Sequence, residues 1–279
     1  MIKALATDLD GTLFYPKRKL RLMQSANKKF LLQFIASGKK LILVTGRNKF
    51  VSSKVAANLD TDDLIIIGCN GGFVVDKGKI ILENEIDTHH AKELHELLLK
   101  DKKVKSILIF TNKYNIVLDD SPLNRFERLV GSIGMKMQGV YNEPYVRGKD
   151  KIDEIFKDES IKIYKIMPWY GLHINGKELA RQATIKYQKS VGDKFDIAWS
   201  KDAVEFVKYG INKAEVLKKI IASYQIKSDE IMVIGDSGND VSLFRNFENS
   251  YVMKQAPEEV KKEAKIVVES VAELNKYCN

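Results

Sequence analysis

Asp8-Leu9-Asp10-Gly11-Thr12-Leu13 follows an apolar run, residues 2–6, that only Lys3 interrupts. Such a run reads as a buried strand, and Gly11 breaks it into a loop. Adjacent side chains of a strand point to opposite faces, so Asp8 and Asp10 are expected to project the same way while Leu9 turns toward packing. Two carboxylates this close repel unless a proton or a cation lies between them, which makes a divalent metal the natural completion of the site. A pair of turn-forming aspartates before a glycine would carry the same letters, so the rest of the chain has to decide.

Downstream, residues 24–37 have Phe30, Leu31, Phe34 and Ile35 on one helical face and Gly38 as a stop. A second buried strand, residues 41–44, ends in Thr45-Gly46-Arg47, where a hydroxyl and backbone N–H groups at a turn suit a phosphate oxygen. A plain Thr-Gly turn is the alternative there. Residues 49–58 read as a helix, and a third strand, 64–67, closes on Gly68-Cys69-Asn70-Gly71-Gly72. Strand alternating with helix is the rhythm of an α/β fold with a Rossmann-like parallel sheet.

Past residue 73 the rhythm changes. Two short runs around Asp76-Lys77-Gly78 signal a hairpin, residues 91–99 and 122–130 read as helices, 106–110 and 115–118 as a strand pair, and 131–160 show no period. A strand over 161–167, a helix over 177–188 and a hairpin within 196–207 complete an inserted α+β domain at 82–209. The first rhythm returns at Lys213, which heads a helical stretch, and a fourth buried strand, 231–234, ends in Gly235-Asp236-Ser237-Gly238-Asn239-Asp240. The expected layout is a discontinuous core, 1–81 with 210–279, split by the insert.

Composition excludes several classes. The 279 residues are 44% hydrophobic and 30% charged, the balance of a globular protein, and no apolar run reaches membrane-spanning length. With no signal-peptide pattern after Met1, a cytoplasmic location is expected. Cys69 and Cys278 are too few for a disulfide framework or a zinc cluster. The net charge of +9 divides as +8 over residues 1–81, +2 over 82–209 and −1 over 210–279. Its short clusters, such as Lys17-Arg18-Lys19, lack interleaved aromatics, which argues against a nucleic-acid surface and for an attraction to small anions. His89, His90, His95 and His173 read as surface or helix-end residues, and Trp169, Tyr170 and Trp199 as aromatic packing.

In an open parallel sheet, ligands lie beyond the carboxyl ends of the strands. Four such ends offer Asp8 with Asp10, Thr45-Gly46, Asn70-Gly71, and Asp236 with Asn239 and Asp240. Asp8 and Asp236 can hold Mg²⁺ through oxygen while a substrate phosphate completes its shell, and Lys213 can balance charge on that phosphate.

This set resembles the haloacid dehalogenase superfamily of phosphatases. The matches are Asp8-Leu9-Asp10-Gly11-Thr12, Thr45-Gly46-Arg47, Lys213, and the glycine-aspartate loop from Gly235 to Asp240. The insert is similar to the cap of the Cof-type, class IIB branch, as are Asn70-Gly71 and Met253-Lys254-Gln255-Ala256, although the tail lacks the Asp-Gly-Val ending of that branch. The resemblance implies that Asp8 attacks phosphorus, that Asp10 serves as acid and then base, and that Mg²⁺ is held by Asp8, the Asp10 backbone carbonyl and Asp236. It further implies that Thr45, Gly46 and Lys213 hold phosphate oxygens, with Asn239 and Asp240 orienting around them; Arg47 and Asn70 are candidates for substrate contact. Expected substrates are sugar phosphates or phosphorylated cofactors such as pyridoxal phosphate or FMN. A sugar-phosphate mutase, and less readily a phospho-acceptor signalling module, would use the same residues. Oligomeric state is not legible.

Overall fold

The computed structural model describes residues 1–16, 21–120, 143–171 and 175–278. The helix read at 122–130, His173 and the Lys17-Arg18-Lys19 cluster lie outside these residues. Chain contacts divide the molecule into two compact units, Met1–Leu82 with Asn212–Asn279, and Glu83–Ile211.

The first unit begins with β1 (Ala4–Thr7), β2 (Lys40–Val44), β3 (Leu64–Gly68) and the hairpin β4 (Phe73–Asp76) and β5 (Lys79–Glu83). The second contains β6 (Ser106–Thr111), β7 (Val117–Asp119), β8 (Val146–Arg147), β9 (Ile163–Trp169), β10 (Phe195–Ser200) and β11 (Ala203–Lys208). The chain then returns to the first unit with β12 (Ile231–Gly235), β13 (Asn249–Met253) and β14 (Ile266–Val268).

The first sheet runs β14-β13-β12-β1-β2-β3-β4-β5. It is parallel from β14 to β3, with Ala4 level with Lys40 on one side and Ile231 on the other, and turns antiparallel at β4. Leu41 to Val44 and Ile231 to Ile234 are fully buried, as strands with helices on both faces must be. Connections leave β1 toward β2 and leave β12 toward β13, so the order reverses beside β1, and a crevice belongs at the carboxyl ends there.

The second sheet, β10-β11-β9-β6-β7-β8, is antiparallel except between β7 and β8. Helices Thr88–Leu99, Lys149–Lys157 and Gly176–Val191 accompany it in sequence, and Leu94, Leu98, Ile155 and Tyr187 share one core with Ile107 and Phe206 of its strands. Helix Lys149–Lys157 falls in the stretch that shows no period in sequence. Its two buried residues, Ile152 and Ile155, are spaced three apart among charges, too sparse a stripe to register. His95 corrects another expectation. It faces inward with Leu94 and Leu98, 6% exposed, and its Nε2 lies 2.8 Å from Asp119 Oδ2. Tyr170 is buried, whereas Trp169 and Trp199 are only half-buried; the Trp169 indole donates to Asp202 Oδ2 at 2.8 Å. No helix among the described residues is long and apolar enough to cross a membrane.

Candidate active site

β1 stops at Thr7, one residue short of the first aspartate, and the chain enters a wide turn in which Leu13 and Phe14 donate backbone hydrogen bonds to the carbonyls of Asp8 and Leu9. The sequence expectation that Asp8 and Asp10 project together from one strand is therefore revised. Asp8 is buried at the strand's exit; Asp10 lies in the turn and is gripped by Arg47, whose Nη2 donates to Oδ1 at 2.7 Å while Nε donates to Oδ2. That fork joins the exits of β1 and β2.

Two glycines make the turn and its neighbour possible. Gly11 has φ +87°, and a Cβ there would sit 2.1 Å from Asp236 Oδ2, so only glycine lets the β12 exit loop close onto the β1 exit loop. A Cβ on Gly235 would meet the Asp240 carboxyl carbon at 2.3 Å. With both clear, Thr12 Oγ1 donates to Asp236 Oδ1 at 3.2 Å, and the carboxylates of Asp8, Asp236 and Asp240 come within 4.8 Å of one another, all buried.

Lys213 enters this acidic cluster from the first residue of helix Lys213–Ser223. Asn212 caps that helix, its Oδ1 accepting from the amides of Ala214 and Glu215 at 3.0 Å each. The fully buried ammonium donates to Asp240 Oδ1 at 2.6 Å, to Asp8 Oδ1 at 2.8 Å and, more weakly, to Asn239 Oδ1 at 3.4 Å. Asp240 has its second oxygen occupied as well, accepting from the amides of Asp236 and Ser237 at 3.0 Å. It thus shapes the loop and aims Lys213, although its carboxylate also belongs to the cluster that could hold a metal.

Electrostatics follow from burial. Loss of water pushes the Asp8 carboxyl well above the ordinary carboxylate range; Lys213 pulls it down, and Asp240 and Asp236 push it up again. For Lys213, burial opposes the charge, yet Asp240 and Asp8 outweigh it and raise the ammonium above its ordinary value. Asp8 and Asp240 both bind the Lys213 ammonium and Asp236 lies within 4.8 Å of them, a gathering of buried carboxylate oxygens that suits a hard divalent cation.

The exits of β2 and β3 meet beside it. Thr45, 1% exposed, accepts at Oγ1 from the Arg47 amide at 3.1 Å, with Gly46 between them in the turn. The amides of Cys69 and Asn70 donate to the carbonyls of Arg47 and Thr45 at 2.9 and 3.0 Å. To do so both residues adopt positive φ, +49° and +58°, an uncommon conformation for side chains other than glycine. Asn239 Nδ2 reaches Asn70 Oδ1 at 3.5 Å. The geometry therefore gathers Asp8, Asp236, Asp240, Asn239, Asn70 and Lys213, links Thr45 to them through backbone, and ties Asp10 to Arg47. Sequence reasoning quoted Thr12 and Gln255 in matched motifs but gave them no contact, and passed over Asn212; the Gln255 side-chain amide donates to the Gly11 carbonyl. The asparagine before a helix was a readable capping signal; the other two contacts span more than two hundred residues and have none.

A family model described as haloacid dehalogenase-like hydrolase matches residues 5–275. The chain is 25% identical over 288 residues to the 5-amino-6-(5-phospho-D-ribitylamino)uracil phosphatase YwtE of Bacillus subtilis, covering 96% of this chain and 93% of that one. Among solved structures, a haloacid dehalogenase-like hydrolase from B. subtilis superposes with TM-score 0.81 at 22% identity, each chain covered in full. The subclass IIB sugar phosphatase BT4131 does so with TM-score 0.75 at 24% identity, covering 99% of this chain and 98% of that one.

Proposed function

The chain belongs to the haloacid dehalogenase-like hydrolase family and is a phosphatase, and from that premise we propose that it is a Mg²⁺-dependent phosphomonoesterase that works through an aspartyl-phosphate at Asp8. The observation that carries this reading is the Asp8 carboxylate, buried at the exit of β1, bonded to Lys213 and clustered with Asp236.

In the proposed reaction an Asp8 oxygen forms a bond to phosphorus as the bond to the leaving alkoxide breaks, and the alkoxide takes a proton from Asp10. A water then gives a proton to Asp10 and attacks the same phosphorus, which frees inorganic phosphate and restores Asp8. Lys213, the Thr45 hydroxyl and the Gly46 amide hold the non-bridging oxygens, where charge gathers during transfer. Asp8, Asp236 and the Asp10 backbone carbonyl would hold Mg²⁺, which when bound would supply positive charge against the repulsion between an anionic nucleophile and an anionic ester. Because Lys213 and two amides already occupy Asp240, its role is to orient, and Asn239 does the same for Lys213 from the other side. The Arg47 fork keeps the Asp10 carboxyl group in place.

Residues 82–209 would form a cap that reads the leaving group, in a cytoplasmic enzyme. YwtE is named for a phosphorylated ribityl chain and BT4131 for sugar phosphates, so the favoured substrates are phosphate esters of small polyhydroxylated molecules. A panel of sugar, polyol and cofactor phosphomonoesters, assayed for released phosphate with Mg²⁺ and with chelator, tests this. Repeated turnover that requires Mg²⁺ is expected. Release of a single equivalent, or transfer to a hydroxyl in place of water, would overturn it in favour of a phospho-acceptor module or a mutase.

A further inference from the structure

β5 is the last strand of the eight-stranded sheet, and no other described strand pairs with its outer side. A strand at that position normally has one covered face, yet Ile80 and Ile81, which point to opposite faces, are 47% and 52% exposed. An apolar, open edge of this kind is a template for another strand, and proteins ordinarily blunt it with a charge or a proline in the middle. Here the charges stand only at the ends. The segment 77–85 reads Lys-Gly-Lys-Ile-Ile-Leu-Glu-Asn-Glu, with two lysines before the apolar centre and two glutamates after it.

That order is self-complementary. Antiparallel pairing of two copies about Ile81 sets Lys79 opposite Glu83, Ile80 opposite Leu82 and Ile81 opposite itself. Backbone geometry selects the same centre. Lys77 and Gly78 both have positive φ, +47° and +76°, as the two-residue turn favoured in hairpins requires. Such a turn closes on Asp76 and Lys79, which directs the backbone groups of Lys79, Ile81 and Glu83 toward β4 and those of Ile80 and Leu82 outward. An outer ladder centred on Ile81 uses the outward groups, Ile80 with Leu82 of the other copy. It leaves Ile81 in the closely spaced, non-hydrogen-bonded position on the two-fold axis.

We propose that the β5 edge, Lys79–Glu83, is a homodimer interface in which a second copy of this chain adds its own β5 antiparallel about Ile81, so that two eight-stranded sheets become one.

Sedimentation or light scattering across a concentration series tests this on the full chain. The expected result is a species of twice 31.8 kDa for the wild type and of 31.8 kDa for Ile81→Lys, which sets two ammonium groups face to face at an exposed position. An unchanged melting temperature and unchanged phosphatase activity would show that the variant folds. Register is read by oxidation in a Cys278→Ser background. Ile81→Cys is expected to form a cross-linked dimer. Lys79→Cys is not, since its copies would lie about four residues apart along the ladder, beyond the roughly 7 Å that a disulfide bridges between Cα atoms. A chain that is monomeric throughout with no Ile81→Cys cross-link overturns the proposal. So does a dimer indifferent to Ile81→Lys, a dimer without the Ile81→Cys cross-link, or cross-linking at both positions.

Discussion

Replacing Lys213 with Met isolates the electrostatic core of the site. The ammonium is fully buried, 2.6 Å from Asp240 and 2.8 Å from Asp8, so its removal strands carboxylates that have no water to turn to. Breaking a buried pair by deleting one partner costs about 3–5 kcal/mol, which in a chain of this size lowers Tm by on the order of 10 °C. The variant melted by calorimetry or circular dichroism at neutral pH with chelator should show that loss, and added Mg²⁺ should recover part of it by neutralising the same carboxylates. The pH dependence has a definite sign. Asp8 already has a folded pKa above its unfolded value of 3.8, so its charged form penalises the fold increasingly as pH rises from there. Removing Lys213, which pulls that pKa down, enlarges the penalty at neutral pH and makes it shrink as the solution is acidified. In the wild type, stability from the raised Lys213 pKa is fully present below 10.5, its unperturbed value, and is lost as pH climbs through the folded pKa. A variant that melts with the wild type at neutral pH without metal, or whose deficit grows on acidification, would refute the reasoning.

Asp10→Asn should slow hydrolysis of alkyl phosphates by about 10²–10⁴-fold and that of p-nitrophenyl phosphate far less, since an acidic leaving group needs little protonation; equal losses in steady-state kinetics would remove Asp10 from the acid role. Gly11→Ala forces a Cβ onto Asp236 at a φ of +87°, so Mg²⁺ titration of activity should show weaker binding, with the fold destabilised by about 1–3 kcal/mol; an unshifted titration would separate the glycine from the metal. In the second unit, burial raises the Asp101 carboxyl pKa, but hydrogen bonds from Lys186, the Lys103 amide and Tyr187 more than offset this and hold it below the ordinary value. It therefore contributes stability above its unfolded pKa of 3.8 that is lost as pH falls through the folded one, and Asp101→Asn should flatten the acid limb of urea-melt stability.

The central strands β2, β3 and β12 are legible because each carries an apolar run of the kind that burial on both faces demands, as at Leu41 to Val44. Lys213 is legible by place, heading a helix before a strand that ends in aspartates. The grip of Arg47 on Asp10 is not. Strand alternation pairs Asp10 with Asp8, but the strand ends at Thr7 and Arg47, thirty-seven residues on, claims the second carboxylate. The closure of Gly11 onto Asp236 escapes sequence reading for the same reason, since the glycine marks a turn but not what approaches it. His95 is misread because, sharing a charged helix with His89 and His90, it resembles a surface residue; the buried Asp119 beside it lies on β7, outside that helix.

The account turns on Asp8 as the group that takes the phosphoryl. Asp8→Asn keeps the size and the hydrogen-bonding shape of the side chain while removing the attacking charge, so phosphate release from the best substrate with saturating Mg²⁺ should fall by at least about 10⁴-fold while the variant melts at or above the wild-type temperature. A folded Asp8→Asn enzyme turning over within tenfold of the wild type would contradict it.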